Sequence, residues 1–150
     1  MKLTDKYGIN VSPADVGFGV SQIMPIIVQT VSAQNKMILI EQPEIHLHPK
    51  LQAEMADLFI SSAKGPDKNT FVLETHSEHL MLRILRRIRE TTGGGHKDDG
   101  LAITTDDVSV LYVQSGEDGS QVTQIPVTSD GRFEIPWPEG FFAERAKELL

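Results

Sequence analysis

The chain has 150 residues, enough for one domain or a large part of one, and such a chain buries about 70% of its unfolded surface. Its 14 basic and 21 acidic residues give a formal net charge of -7, which disfavours non-specific binding to nucleic acid. The absence of cysteine excludes disulfides and thiolate metal sites. No apolar run resembles a signal peptide or approaches the ~20 residues of a membrane-spanning helix, so we expect a cytoplasmic protein with no membrane partner.

The first part of the chain begins with a helical pattern and a strand pattern. Apolar side chains between residues 21 and 31 recur at helical spacing, and Pro25 predicts that the regular helix begins near it. Residues 36 to 41 predict a strand, and their unbroken apolar run predicts that both of its faces are buried. Pro49 and Gly65 mark the expected start and end of the next helix.

The alternation then continues with one more strand and one more helix. A second buried strand is predicted over residues 70 to 75, and a helix with one apolar side over residues 77 to 90. Strand, helix, strand and helix in this order predict an α/β fold with parallel strands.

The pattern changes after residue 90. Residues 91 to 100 contain no apolar side chain and predict a mobile loop or linker. Residues 108 to 113 and 121 to 127 predict an antiparallel hairpin, since turn-forming residues lie between them. The aromatic tail over residues 136 to 142 predicts a docked end, followed by a short helix to Leu150.

These patterns divide the chain into three regions. Residues 1–92 are expected to form the α/β part, residues 93–105 a flexible loop, and residues 106–150 a hairpin with its docked tail.

The first segment suited to chemistry stands directly before the first helix. Glycines allow a ligand to approach the backbone, and the free amides of a helix start favour phosphate. Taken alone, the segment is more typical of a tight turn with a serine cap. The candidate ligand-binding residues are Gly17, Gly19, Ser21 and Gln22.

The second segment places Glu41, Gln42 and Glu44 directly after a buried strand. Carboxylates at the carboxyl end of a strand face the crevice where α/β folds bind ligands, and nucleotide hydrolases hold Mg²⁺ there with hard oxygen ligands. The simpler interpretation is an acidic run before the next helix.

The third segment delivers His76 just past the end of the second strand. An imidazole there is able to reach a phosphate oxygen or a water, while Ser77 is able to cap the following helix. A single histidine after a strand is more often structural, so this segment gains meaning only beside the other two.

Together, the order and spacing of the three segments resemble the distal half of an ATP-binding-cassette nucleotide site. Gly19 and Glu41 are 22 residues apart, and Glu41 and His76 are 35 apart, which leaves room for one helix each time. The resemblance implies a signature loop around Gly19. It implies the Walker B acid at Glu41, the position of the catalytic glutamate at Gln42, and the switch histidine at His76.

More specifically, residues 41 to 49 and 75 to 80 resemble ATPases related to the overcoming-lysogenization-defect (OLD) family, which belong to the AAA type. Residues 137 to 142 resemble an uncharacterised carboxy-terminal family found on such ATPases. The resemblance implies a partial P-loop NTPase sheet with flanking helices, next to the small antiparallel hairpin. It implies ATP and Mg²⁺ as cofactors, Glu41 as the metal ligand, and a homodimer that sandwiches ATP. An effector nuclease or DNA is a further implied partner.

Two departures from a complete hydrolase stand out. No lysine is followed by serine or threonine, as a P-loop requires, so we expect a separate P-loop-bearing half and an inactive isolated chain. Gln42 replaces a glutamate and cannot accept a proton, and the loss of a general base costs about 10²- to 10⁴-fold in rate. Glu44 is expected to assist catalysis in its place.

Two other functions remain open at this point. One is a non-hydrolysing dimerisation or regulatory module with the same fold, which Gln42 and the missing P-loop favour. The other is a metal-dependent hydrolase that uses His46 and His48 with Glu44 and His76. Alternate residues of an extended segment point to opposite sides, so the simpler interpretation has His48 cap the next helix and His46 pack at a contact.

The only basic cluster lies on the third helix. Basic residues near the carboxyl end of a helix are favoured by its dipole, and a solvated face is the usual explanation. The alternative is a contact with nucleic acid or an acidic partner. The cluster consists of Arg83, Arg86, Arg87 and Arg89.

Overall fold

The structure is a computed structural model that describes residues 3–4, 8, 10–11, 17–95, 100–117 and 119–138. These residues form a mixed α/β fold with a small parallel sheet and an antiparallel hairpin. The chain divides into two compact units, Met1–Met81 and Leu82–Leu150. None of the helices in the described ranges is both long and apolar enough to span a membrane.

The first unit alternates strands and helices. Two short strands that pair antiparallel come first, and two longer strands follow, each with a helix before it along the chain. In chain order the elements are β1 (Leu3–Thr4), β2 (Asn10–Val11), α1 (Gly17–Ser32), β3 (Met37–Glu41), α2 (Pro49–Lys64) and β4 (Thr70–Glu74). The predicted α/β order of this part is confirmed.

Strands β3 and β4 are parallel neighbours, as predicted. Their register runs from Met37 opposite Thr70 to Glu41 opposite Glu74, and α2 is the crossover between them. Helix α2 covers one face of this pair, since the rings of Phe59 and Phe71 lie 4.9 Å apart.

The prediction that both strand faces are buried is wrong. Met37, Leu39 and Val72 are 67%, 71% and 51% exposed, while Ile38 on the other face is only 8% exposed. The sequence run is apolar on both sides, but the described helices cover only the side that carries Ile38 and Phe71. The other side, which we call the bare face, has an apolar surface that is typical of a covered parallel sheet.

The predicted start of α1 near Pro25 is also wrong, because α1 begins at Gly17 and Pro25 lies inside it. A proline inside a helix removes one hydrogen bond, to the carbonyl four residues earlier, and the turns on either side keep theirs. Ser21 is therefore a helical residue and not the cap of a turn.

Helix α2 has the bounds that its sequence predicts. The backbone N–H of Lys50 donates to Nδ1 of His48 over 3.2 Å, and Pro49 is the first helical residue. At the other end, the N–H of Gly65 donates to the carbonyl of Ser61 over 2.9 Å. The prediction that His48 caps this helix is confirmed.

A buried asparagine joins the ends of three elements in the first unit. The Nδ2 atom of Asn69 donates to the carbonyl of Ala33 over 2.8 Å and to Oγ of Ser62 over 3.0 Å. Its Oδ1 atom accepts from the N–H of Lys36 over 2.9 Å. These bonds fix the end of α1 to α2 and to the start of β3, at the amino end of the strand pair.

The second unit carries most of α3 (Glu78–Thr92), which continues two residues into the segment predicted as a loop. Strands β5 (Leu111–Gly116) and β6 (Gly119–Gln124) form the predicted antiparallel hairpin, although β5 lies three residues later than expected and β6 begins two residues and ends three residues earlier. Part of the predicted loop, residues 96–99, lies outside the described residues.

The described part of the aromatic tail packs against the hairpin region. The ring centroid of Trp137 lies 6.0 Å from that of Tyr112 and 5.1 Å from that of Phe133. The rest of the predicted docked tail and its short helix, residues 139–150, lie outside the described residues.

Candidate functional site

The candidate site lies at the carboxyl edge of the parallel pair. Glu41 and Glu74 are the last paired residues of β3 and β4, and the N–H of Gln42 donates to the carbonyl of Glu74 over 2.7 Å. His76 follows two residues after Glu74. Glu41 and His76 therefore emerge from neighbouring strand tips at one edge of the sheet, and both are exposed. This edge is where open α/β sheets bind ligands.

A tight turn follows β3 and carries an unusual backbone. Gln42 and His46 have positive φ angles of 45° and 61°, a region that residues other than glycine rarely adopt. The N–H of Ile45 donates to the carbonyl of Gln42 over 3.2 Å, and that of Leu47 to Glu44 over 3.0 Å. Such strain costs about 1–3 kcal/mol per residue and concentrates at functional sites. We call residues 42–47 the β3 turn.

A cavity of about 210 Å³ opens beside Glu41. Ligand pockets for small molecules usually measure about 300–1,000 Å³, so this cavity is smaller than a complete nucleotide site needs. It brings Gln22, one of the predicted ligand-binding residues, together with the two residues at the tip of β3. The lining residues are Gln22, Ile26, Glu41, Gln42, Pro43 and Ile45.

The start of α1 lies directly against the β3 turn. A Cβ atom at Gly19 would lie 2.6 Å from the carbonyl oxygen of His46, so only glycine fits. Gly17 begins the helix, and Ser21 is exposed on it. The four residues predicted to form a loop before a helix therefore lie in the first turns of the helix, at the same edge as the strand tips.

Glu44 occupies a different environment from Glu41. It is only 8% exposed, and its Oε1 atom accepts a hydrogen bond of 2.6 Å from the backbone N–H of His76. Its Oε2 atom is buried and has no hydrogen-bond partner among the described residues. Glu44 thus links the β3 turn to the segment after β4, and the cavity is lined by other residues.

A second link between the two strand ends was not predicted from the sequence. Oγ of Ser77 donates to Oε1 of Gln52 over 2.7 Å, and Nε2 of Gln52 donates to the carbonyl of Leu47 over 3.0 Å. Ser77 also accepts the N–H of Leu80 over 3.0 Å, which confirms its predicted role as the cap of α3. A polar residue in the first turn of α2 was the only sequence signal for Gln52.

The chemistry of Glu41 fits a magnesium ion that is shared with a nucleotide. Mg²⁺ is usually held by one or two carboxylates together with substrate phosphates, and Glu41 offers one exposed carboxylate at the strand tip. Among the described residues, no group of three or more His, Asp or Glu side chains is placed to hold a metal ion alone. An exposed carboxylate such as Glu41 could hold an ion at this edge only together with oxygen ligands from a bound molecule.

His46 and His48 do not form such a metal-binding group with other described residues. His46 is exposed in a left-handed conformation, and Nδ1 of His48 is engaged in capping α2. The geometry of the described residues supports the capping interpretation of His48 over metal ligation.

The basic cluster of α3 is partly neutralised by a neighbour on the same helix. Nε of Arg86 lies 2.6 Å from Oε1 of Glu90, and Nη1 of Arg87 lies 2.8 Å from Oε2 of the same carboxylate. These spacings are typical of ion pairs within a helix. The expected solvated face holds for Arg86, whose side chain is 55% exposed, but not for Arg87, whose side chain is only 11% exposed.

Comparison with known protein families gives two matches. Residues 4–81 match a family described as AAA ATPase domain, and residues 103–150 match a family described as protein of unknown function (DUF3696). No curated protein and no solved structure matches the chain significantly. The first match covers just over half of the chain and contains both strand tips and the start of α1. The chain belongs to the AAA ATPase domain family.

Proposed function

We propose that the chain is the distal half-site of an ATPase of the ATP-binding-cassette type, related to the OLD family. It binds and hydrolyses ATP with Mg²⁺ when a P-loop-bearing half of the same ATPase completes it. The observation that carries the proposal is the pair of parallel strand tips that present Glu41 and His76 at one edge. Membership of an AAA ATPase domain family supports it.

Each residue of the edge has a role that its chemistry allows. Glu41 acts as the Walker B acid and holds the ion, which polarises the terminal phosphate when it is bound. His76 donates a hydrogen bond to a phosphate oxygen as charge develops there. Gln42 orients the attacking water but cannot take its proton. Glu44 assists from its buried position.

The bare face supports a missing half of the domain. Parallel sheets are normally covered on both faces, but Met37, Leu39 and Val72 are largely exposed. A P-loop-bearing half that packs on this face would bury them and would bring the lysine that the phosphates require. Two parallel strands alone make a small sheet, and further strands would extend it at its open edges.

The start of α1 is proposed to act across a dimer. The amides of a helix start carry partial positive charge, and Ser21 is exposed beside them. In a sandwich of two copies, Ser21 and the backbone at Gly17 and Gly19 would face the phosphates held by the partner. Hydrolysis would then loosen the dimer, and an effector nuclease or DNA would be the element that this movement drives.

The decisive experiment is reconstitution. The 150-residue chain is mixed with a P-loop-bearing half, and phosphate release from Mg·ATP is followed for the wild type and for Glu41→Gln. We expect turnover that the substitution lowers by at least about 100-fold, since it removes the metal ligand. Full turnover by Glu41→Gln would remove the basis of the proposal.

A second function is favoured by Gln42 and by the missing P-loop. An amide at this position suits a non-hydrolysing dimerisation or regulatory module that binds ATP and keeps the fold. The same reconstitution separates the two proposals, because a regulatory module would dimerise with ATP and release no phosphate. Dimerisation is followed by light scattering with and without ATP.

A further inference from the structure

The carboxylate of Glu44 is committed to the backbone of the neighbouring strand end. Its Oε1 atom accepts the N–H of His76 over 2.6 Å, at a residue that is 8% exposed. A hydrogen bond from an amide to a buried carboxylate is stronger than one between neutral groups, because the charge assists it. The contact therefore holds the chain at His76 at a fixed distance from the β3 turn.

Burial of the Glu44 carboxylate opposes folding. Its Oε2 atom is buried and has no partner among the described residues, and an unsatisfied buried acceptor opposes folding. An apolar side chain of similar size would avoid that cost. Buried groups that oppose folding are found most often at functional sites.

Gln52 forms a second hydrogen-bonded link between the β3 turn and the segment after β4. We call the Glu44 link and the Gln52 link struts. Gln52 accepts from Oγ of Ser77 over 2.7 Å and donates to the carbonyl of Leu47 over 3.0 Å. Glu44 and Gln52 thus tie the middle and the end of the β3 turn to consecutive residues, His76 and Ser77. The Nε2 atom of Gln52 also lies 3.5 Å from the carbonyl oxygen of Glu44, so the two links share one segment. Together they restrict the backbone more than one link would, since each fixes a different atom.

The position of Glu44 does not suit a base that activates water. A general base must reach the reacting water by a hydrogen bond, directly or through one further water. The cavity at the strand tips is lined by Glu41 and Gln42, and Glu44 is not among its lining residues. The Oε1 atom of Glu44 accepts the His76 amide and its Oε2 atom is buried, so neither oxygen is exposed at the cavity.

We infer that Glu44 is a positioning residue, which fixes the His76 backbone and so sets where the imidazole stands relative to Glu41. This inference rests on the proposed ATPase function and adds Gln52 as the second member of the same device. It assigns catalysis at this edge to Glu41, Gln42 and His76 alone.

Two substitutions at Glu44 distinguish positioning from base catalysis. Glu44→Gln keeps an oxygen that accepts the His76 amide, but it cannot accept a proton. Glu44→Ala removes both properties. If Glu44 is a positioning residue, we expect the glutamine variant to keep its turnover within about 3-fold of the wild type. We expect the alanine variant to lose about 10- to 100-fold in kcat.

The ATPase assay uses the chain reconstituted with its P-loop-bearing half and measures kcat and KM separately. We expect Glu44→Ala to lower kcat with little change in the KM for ATP, and Gln52→Ala to act in the same direction with a smaller effect. The double variant should lose less than the product of the single losses, because both struts act on one segment. Glu54→Ala, on the exposed side of α2, is the matched control. Equal losses in Glu44→Gln and Glu44→Ala would overturn the inference, as would full activity in Glu44→Ala.

A measurement without nucleotide separates failure of the inference from failure of the proposed function. Hydrogen exchange of the His76 amide is followed by NMR in the 150-residue chain. We expect exchange at least about 10-fold faster in Glu44→Ala than in the wild type, and close to the wild-type rate in Glu44→Gln. An unchanged rate in Glu44→Ala overturns the inference, whatever the ATPase assay gives. If the wild type instead releases no phosphate while the exchange rates of the variants are as expected, the proposed hydrolysis is refuted. That result would leave the positioning of the His76 backbone by Glu44 supported.

Discussion

Glu41 and Glu74 stand side by side as the last pair of the parallel β3–β4 ladder, on the exposed face of the two strands. Neighbouring strands thus end in two carboxylates of like charge. The arrangement opposes folding in the absence of a cation, since like charges on facing positions repel. The geometry that places Glu41 at the carboxyl edge of the sheet therefore lowers the free energy of unfolding by a measurable amount.

The first prediction concerns that cost. Glu74→Gln removes one charge of the pair, and we expect the free energy of unfolding to rise by about 0.2–1 kcal/mol. Urea unfolding of the 150-residue chain measures it at low salt. The gain should shrink at high salt, where exposed charges are screened. Glu134→Gln, an equal change of net charge on the other unit, serves as control, and an equal gain there would contradict the explanation.

The second prediction concerns the incomplete nucleotide site. The isolated chain has a cavity of about 210 Å³ and no P-loop lysine, so we expect ATP to bind with a Kd of about 1 mM or weaker. Titration calorimetry with Mg²⁺ measures it. Addition of the P-loop-bearing half should tighten binding at least about 100-fold. Micromolar binding by the isolated chain would show that the half-site proposal is wrong.

The third prediction concerns Gln42. Gln42→Glu restores a group that accepts a proton beside Glu41, and we expect turnover in the reconstituted ATPase to rise at least about 10-fold. Gln42→Asn is the matched control, because it is also an amide and tolerates the positive φ angle of 45° observed here. If the glutamate variant is no faster than the wild type, another group activates the water.

Much of the fold followed from local sequence signals. Pro49 and Gly65 marked the ends of α2 because each suits one end of a helix by its backbone chemistry, and the hairpin followed from its turn residues. Pro25 gave a wrong helix start. Proline is favoured in the first turn of a helix, but α1 accommodates it in its interior. The exposure of the bare face was not predicted, because an apolar run shows that a strand face is suited to burial but does not show whether another element covers it.

The candidate edge was predictable and its internal bonding was not. Glu41 and His76 follow buried strands, and parallel strands end at one edge, so their proximity follows from topology. The bond between Glu44 and the His76 amide joins residues 32 apart and lies in a turn with a left-handed residue at Gln42, and no local propensity indicates either feature. Gln52 was missed for the same reason, since its partners are 5 and 25 residues away.

The fourth prediction is a dependence of stability on pH in the second unit. A hydrogen bond from Thr128, with the nearby charge of Arg132, lowers the pKa of Asp130 below its ordinary value of 3.8. A carboxyl with a lowered pKa stabilises the fold above 3.8, and this contribution is lost as the pH falls through the folded-state pKa. We therefore expect Asp130→Asn to be less stable than the wild type at neutral pH, with the difference vanishing in acid. Thermal unfolding against pH measures it, and a constant difference would contradict the assignment.

The fifth prediction concerns the contact between α1 and the β3 turn. Replacement of a helical glycine by alanine usually stabilises a protein by about 0.5–1 kcal/mol. At Gly19 the new Cβ would lie 2.6 Å from the carbonyl oxygen of His46, so either the helix or the turn must move. We expect Gly19→Ala to lower the free energy of unfolding by about 1–3 kcal/mol instead, as overpacking does.

Denaturant unfolding of the chain measures this change, with Gln29→Ala at an exposed position of α1 as the control. In the reconstituted ATPase the same substitution should also lower turnover, because the β3 turn carries Gln42. A stability gain in Gly19→Ala would mean that the helix start is not seated on the turn, and the proposed phosphate-facing role of this segment would lose its structural support.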